Sequence, residues 1–221
     1  IIIGAIFERP DDANKGTLGS LLCVCGSYGM AGAEVMSAKG ALRTGIGLAK
    51  CALPRSIYPI VAQTILESVY YPLSENADGR IAKVNVPFLV SESCKSSATL
   101  VGCGLGVCDD TLKIVFSLIE NSTTPLVLDA DALNCVAKQP EILLRKKAPI
   151  IITPHPGEMS RLTGLATPLV NAERERVAID FAQKYGVVTV LKGAGTVIAS
   201  PNGKLLVNPT GNSGMATGGS G

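Results

Sequence analysis

Five short stretches of this chain carry the residue types that chemistry needs, and each follows an apolar run. They are GSYGMAG (26–32), GCGLG (102–106), DAD (129–131), TPHPGE (153–158) and KGAGT (192–196), and a sixth, NPTGNSGMATGGSG (208–221), closes the sequence. Lys192 stands at the end of an apolar run, where its amine can reach a phosphate while neighbouring glycines expose backbone N–H groups. It reads equally well as a plain strand-end lysine. Asp129 and Asp131 could hold a cation or cap the helix that follows them. His155 is the chain's one histidine and sits with Glu158 in a proline-rich turn opening a helix. Glu158 could simply favour the dipole there, whereas a histidine among prolines fits a core badly. The turn Gly218, Gly219, Ser220, Gly221 is of the kind that precedes a helix and aims several N–H groups at an anion. Negative charge developing during phosphoryl transfer would be stabilised there. The turn itself holds no base for an acceptor hydroxyl.

These stretches need a scaffold, and the pattern between them supplies one. SLLCVCGS (20–27) is a short apolar run ending in glycine, as a buried parallel strand would be. AGAEVMSAKGALRTG (31–45) has helical spacing, with Gly45 where a C-terminal cap belongs. IGLAKCAL (46–53) is a second strand, stopped by Pro54. SATLVGCGLG (97–106) and PLVLDADALN (125–134) repeat the theme, the former followed by the helix DDTLKIVFSLIEN with its acidic first turn. APIIITPHPGEMSRLTG (148–164) is a fourth unit, and NAERERVAIDFAQKYG (171–186) an amphipathic helix. VVTVLKGAGTVIASPNGKLLVN (187–208) places two apolar runs around SPNG, a hairpin signature. LSENADGRIAK (73–83) reads as a surface excursion. Strands alternating with helices predict one α/β domain with a mostly parallel sheet. The polar clusters then share one edge, at the carboxyl ends of the strands, where ligands bind.

Composition narrows the partners. The 221 residues are 47% hydrophobic and 17% charged, with a mean hydropathy of +0.34. The longest apolar runs fall short of the ~18 residues that a spanning helix needs, so no membrane partner is expected. IIIGAIF (1–7) lacks a basic lead and reads as a strand or packed arm. A net charge of +2 without a basic run, and nine aromatics, argue against nucleic acid. The seven cysteines are odd in number, form no CxxC and sit in apolar runs, so buried reduced thiols in a cytoplasmic protein are expected. No metal site is expected. The glycine clusters do not match the full dinucleotide fingerprint of a hydride-transfer enzyme, and no GxxxxGK[ST] is present.

Eight segments carry a more specific resemblance: KGTLGS (15–20), GSYGMAGA (26–33), ALRTGIGL (41–48), VGCGLG (101–106), LDADALN (128–134), ITPHPGEMSRLTG (152–164), VLKGAGTVI (190–198) and NPTGNSGMATGGSG (208–221). In this order and spacing, from about residue 15 onward, the chain resembles the nucleotide-dependent NAD(P)H-hydrate dehydratase family. That resemblance implies a ribokinase-like three-layer αβα fold over 1–221, with a hairpin near 195–208. It implies a lyase of metabolite repair that spends ADP or ATP on removing water from (S)-NAD(P)H hydrate, and phosphoryl chemistry of that kind calls for Mg²⁺. The course implied is phosphorylation of the ring hydroxyl, then elimination of phosphate. By motif, Lys192, Gly193, Ala194, Gly195 and Thr196 would contact the nucleotide. Gly104, His155 and Ala33 would contact the hydrated substrate. Asn208, Asn212 and the turn Gly218 to Gly221 would sit beside the nucleotide and the phosphoryl group in transfer. HPGE resembles the bacterial branch, which favours ADP, and family habit suggests a homo-oligomer such as a tetramer.

Two departures carry expectations of their own. The family's pattern runs on from the turn into an aspartate that serves as base, and the sequence stops one position before it. The helices expected after the turn are missing as well, so little activity is expected of the chain as it stands. Cys103 occupies a place where proline is usual. A ribokinase-like kinase acting on a vitamin-precursor hydroxymethyl group, or an inactive nucleotide-binding domain, are the alternatives.

Overall fold

A computed structural model describes residues 11–219; the apolar stretch 1–7 and the turn residues Ser220 and Gly221 lie outside the described residues. The chain alternates strand and helix: β1 (Ser20–Val24), α1 (Ala31–Thr44), β2 (Leu48–Pro54), α2 (Tyr58–Ala62), β3 (Val69–Leu73), α3 (Val86–Lys95) and β4 (Ala98–Val101). There follow α4 (Asp109–Asn121), β5 (Leu126–Leu128), α5 (Asp131–Val136), β6 (Ile150–Ile152), α6 (Pro156–Thr163), α7 (Thr167–Ala172) and α8 (Arg174–Tyr185). Strands β7 (Val188–Leu191), β8 (Thr196–Ala199) and β9 (Leu205–Asn208) complete the sheet, and a short 3-10 turn (Ser213–Met215) follows. They form one sheet in the order β3-β2-β1-β4-β5-β6-β7-β8-β9. β1 to β7 pair in parallel, and β8 and β9 add antiparallel. The mostly parallel α/β sheet and its terminal hairpin are those the sequence predicts.

The alternation of side chains along β1 explains the three layers. Leu22 and Val24 point into the larger core, with α4, α5, α6 and α8, while Cys23 and Cys25 point to the other face, under α1 and α2. All four are fully buried. Each such Leu or Val contributes roughly 1.5–3 kcal/mol by leaving water. The sheet grows from β1 in one direction to β2 and β3, then from β4 in the other. The order therefore reverses between β1 and β4, which opens a crevice beyond their carboxyl ends.

Three elements depart from the sequence reading for visible reasons. The helix expected over 171–186 is broken at Glu173, whose backbone (φ −124°, ψ 38°) separates α7 from α8. β3 is obscured in the sequence by Pro72, tolerated because β3 is the sheet's edge. The excursion at 73–83 is no loose loop: Glu75 and Ile81 form a bridge, and Ile81 is fully buried in the core. Asn76 Oδ1 accepts the N–H groups of Asp78 and Arg80, closing the bend.

Candidate active site

The loops at the carboxyl ends of β1, β4, β5, β6 and β7 are linked to one another, not merely neighbours. The Gly26 N–H donates to the Cys103 carbonyl at 2.8 Å, tying the first loop to the β4 loop. Cys103 Sγ donates to Asp129 Oδ2 at 3.6 Å, and the Gly106 N–H donates to Asp131 Oδ2 at 2.8 Å, tying β4 to β5. Lys192 Nζ donates to Asp129 Oδ1 at 2.7 Å, tying β5 to β7. The Lys192 N–H donates to the Pro154 carbonyl at 2.8 Å, which brings in β6.

Neither aspartate caps α5. Ala130 occupies the N-cap position and no side chain caps it, so the capping alternative is replaced by the ion pair and the Gly106 contact. Ala130 has φ 49°, the one non-glycine residue with positive φ among the described residues. Such a backbone costs about 1–3 kcal/mol and persists only where its surroundings dictate it. Here they do, for Gly102 packs its α-carbon against the Asp129 carbonyl with no room for a Cβ.

Gly104 and Ala33 are brought together at the β1–β4 crevice. A Cβ on Gly104 would lie 2.7 Å from the Ala33 Cβ and 3.1 Å from that of Met30, and Gly104 has φ +65°. The Ser27 hydroxyl donates to the Gly104 carbonyl at 2.8 Å and fixes this approach. Gly219 packs on Met36, three residues beyond Ala33 on α1, so the described part of the terminal turn reaches the same helix. Gly218 and Gly219 are exposed.

His155 is the N-cap of α6. Its Nδ1 accepts the N–H groups of Gly157 (3.0 Å) and Glu158 (3.3 Å), while Glu158 Oε2 accepts the His155 N–H at 2.8 Å. This reciprocal capping gives Glu158 a firmer role than a dipole partner. Its cap bonds turn Nδ1 to the backbone, and half of the side chain is left exposed. Thr196 Oγ1 donates to the Gly193 carbonyl at 3.0 Å, tightening the KGAGT turn. Asn208 Oδ1 accepts from the Thr210 N–H and hydroxyl, and Asn212 Oδ1 from the Gly214 N–H, so both asparagines fold the tail upon itself.

Arg174 escapes sequence reasoning altogether. The break before α8 places it so that Nη2 donates to the carbonyls of Leu191 (2.8 Å) and Lys192 (3.1 Å), beneath Gly193. It forms the floor of a cavity of about 540 Å³ that Asn171, Ala194, Gly195 and Val207 also line. That size suits a nucleotide-scale ligand. The available signal is the polar start of an otherwise regular amphipathic helix, and it does not by itself mark a hinge. A second cavity of about 550 Å³ lies between the carboxyl end of α6 and one side of α8 and touches none of the candidate residues.

A three-layer αβα sheet with its polar loops on one edge and a Lys-Gly turn beside a nucleotide-sized cavity defines a ribokinase-like protein. The likeness extends to a ribokinase-like superfamily protein of Enterococcus faecalis, with a TM-score of 0.79 at 22% identity over 96% of this chain and 70% of that one. Residues 21–221 match the NAD(P)H-hydrate dehydratase family, and the chain belongs to it. It is 41% identical over 213 residues to a bifunctional NAD(P)H-hydrate repair enzyme of Thermofilum pendens, covering 96% of this chain and 41% of that protein. It is 34% identical to an ADP-dependent (S)-NAD(P)H-hydrate dehydratase of Neisseria meningitidis over 96% of this chain and 69% of the relative. The ADP/ATP-dependent NAD(P)H-hydrate dehydratase of Bacillus subtilis, co-crystallized with ATP and Mg²⁺, superposes with a TM-score of 0.79 at 31% identity, over 96% and 71% of the two chains. The chain thus spans about two fifths of the length of the bifunctional relatives that it matches.

Proposed function

We propose that this chain carries the nucleotide-dependent dehydration of (S)-NAD(P)H hydrate, with ADP as the favoured phosphoryl donor. The observation that carries the reading is the Lys192–Asp129 pair, which joins the KGAGT turn to the β4 and β5 loops in one crevice. On this reading Lys192 leaves Asp129 for the nucleotide phosphates, and Gly193, Ala194, Gly195 and Thr196 offer their backbone to the same nucleotide. Ala33, Gly104 and His155 border the hydrated nicotinamide ring. Asn208, Asn212 and the turn from Gly218 to Gly221 hold the phosphoryl group as it moves. Phosphate leaves far more readily than hydroxide, so phosphorylating the ring hydroxyl makes the elimination possible.

Magnesium would arrive with the nucleotide. It is a hard cation that bridges phosphate oxygens, keeps several waters and neutralises charge as the phosphoryl group transfers. Among the described residues no group of three or more His, Cys, Asp or Glu is placed to hold it; the ion would be held through the nucleotide's phosphates and would supply charge neutralisation there. No helix of the described residues is long and apolar enough to cross a membrane. A cytoplasmic location and a homo-oligomer, a tetramer for preference, belong to the same reading, supported by seven free cysteines and by exposed apolar side chains such as Ile60, Leu66 and Val84.

The test follows the absorbance of NADH regained from purified (S)-NADH hydrate by the full-length gene product in Mg²⁺, with ADP, with ATP and with neither. Recovery that depends on nucleotide supports the reading and names the donor. A protein that binds nucleotide yet returns no NADH with either would overturn it. Light scattering on the same preparation reads the oligomeric state.

A further inference from the structure

Four thiols and one carboxyl cluster beneath the β1–β4 crevice, and the proposed chemistry uses none of them. Cys23 and Cys51 face each other across β1 and β2, and Cys25 continues the same face of β1. Cys103 packs against this cluster from the β4 loop. Glu34, in the first turn of α1, is fully buried among them. Of the four sulfurs, Cys23, Cys25 and Cys51 are fully buried, whereas Cys103 is partly exposed at the crevice.

We propose that Cys25 and Cys103 are a site of reversible oxidation, forming a disulfide when a peroxide reaches the crevice. The backbone brings the two residues to within one register step of each other on adjacent strands. Cys25 lies one residue past Val24, which pairs with Val101 of β4, and the next N–H, that of Gly26, bonds the Cys103 carbonyl at 2.8 Å. Chains joined in this way lie about 4.8 Å apart. A disulfide spans α-carbons about 4.4–6.8 Å apart. Both side chains belong to one packed cluster on this face of the sheet.

The chemistry divides between the partners. Hydrogen bonds from Cys25 and from the Ser37 hydroxyl hold the Cys103 thiol below its ordinary range, against the opposing pull of burial and of Asp129. Cys25 is pushed well above it, first by that same bond and then by burial. The partly exposed member therefore gives up its proton first, as an attacking thiolate must. Its sulfur attacks one peroxide oxygen: an S–O bond forms, the O–O bond breaks, and the departing hydroxide takes a proton to become water. The Cys25 sulfur then attacks Cys103 sulfur, an S–S bond forms, and the second hydroxide leaves as water with the Cys25 proton. Two thiols are oxidised by two electrons and one peroxide is reduced to two waters. Cys23 and Cys51 stand directly opposite in register, but both are fully buried, so neither offers a peroxide an exposed sulfur.

The folded protein is exposed to a small excess of hydrogen peroxide, quenched, alkylated in denaturant and mapped by mass spectrometry. The expected product is a peptide joining Cys25 to Cys103, two hydrogens lighter than its parts and released by dithiothreitol. Of the seven cysteines, these two lose alkylation together. In Cys25→Ser the link disappears and a 1,3-diketone traps Cys103 as the sulfenic acid. In Cys103→Ala, Cys25 stays reduced, which keeps the question decided should the first variant fold poorly. A Cys23–Cys51 link, a Cys103 found only as sulfinic acid in the unaltered chain, or both thiols still reduced once Cys94 and Cys108 are oxidised would each overturn the proposal. None of these readouts depends on the dehydratase reading.

Discussion

Lys192 Nζ stands 2.7 Å from Asp129 Oδ1, and both side chains are about four-fifths buried. The two residues lie 63 positions apart in sequence. Their meeting closes the edge of the parallel sheet into one site, because Asp129 also accepts Cys103 while Lys192 is anchored by its backbone to Pro154. A cation held by a carboxylate until a phosphate competes for it is preorganised without being neutralised for good. On the proposed function, the pair is the resting state of the nucleotide site.

Replacing Lys192 by Ala is expected to raise the KM for the nucleotide roughly tenfold to a hundredfold, the loss of one charge-assisted contact of about 1.5–3 kcal/mol. The hydrated dinucleotide's KM should move far less. Asp129→Ala leaves a partly buried ammonium without its partner and should lower stability by about 1–3 kcal/mol, below the loss at a fully buried pair. Urea unfolding and initial rates measured on the two variants separate these effects. Equal KM changes for both substrates in Lys192→Ala would contradict the assignment.

Arg174 secures the turn from beneath. Its guanidinium donates to two successive carbonyls, those of Leu191 and Lys192. Arg174→Leu strands both acceptors, for an expected loss of about 1–3 kcal/mol in stability and a weaker nucleotide site. Arg174→Lys restores the charge but not the planar fork, so it should recover only part of either quantity. Calorimetric titration with ADP beside denaturant unfolding reads both. Full recovery by lysine would show that charge alone acts here.

How much of this is legible in the sequence depends on range. α4 is readable to the residue because Asp109 and Asp110, its apolar spacing and its end at Asn121 are all local signals. The clusters after the strands are readable as a set, since a parallel sheet sends every strand's carboxyl end to one edge. Two things are not. That Lys192 meets Asp129 depends on sheet order, and Arg174 matters only because the chain breaks at Glu173, where no proline or glycine announces it. Buried Glu34 is hidden for another reason. In AGAEVMSAKG it looks like one acidic residue favouring a helix N-terminus, and nothing local says which way it faces.

Gly104 can be tested against a glycine that does nothing comparable. Gly104→Ala meets both a left-handed backbone, costing about 1–2 kcal/mol, and a Cβ contact of 2.7 Å with Ala33. The loop must shift away from α1, so a rise in KM for the hydrated dinucleotide is expected together with lower stability. Gly40 lies exposed within α1, and its Cβ would meet nothing. Gly40→Ala should raise stability by about 0.5–1 kcal/mol with kinetics unchanged. Thermal melts and substrate titrations on the pair distinguish a site effect from a general response of α1.

Glu34 sets a pH dependence whose sign can be worked out. Neither of its carboxylate oxygens has a hydrogen-bond partner, although the Cys51 thiol and the Cys25 backbone lie close by. Burial, more than any other cause, holds its carboxyl well above the ordinary value of 4.5. Between 4.5 and that raised value the unfolded chain has released the proton while the folded chain keeps it. The folded state then binds more protons, so this residue's contribution is most favourable below 4.5 and is lost as pH rises through the window. The slope approaches one proton, about 1.4 kcal/mol per pH unit. Glu34→Gln cannot ionise, and relative to the unaltered chain its stability should improve as pH rises above 5, until the raised value is passed. Urea midpoints at a series of pH values, taken as differences between the two proteins, cancel every other titrating group. A constant difference across that range would mean that Glu34 is charged in the fold, and that the thiols around it supply the solvation which burial denies.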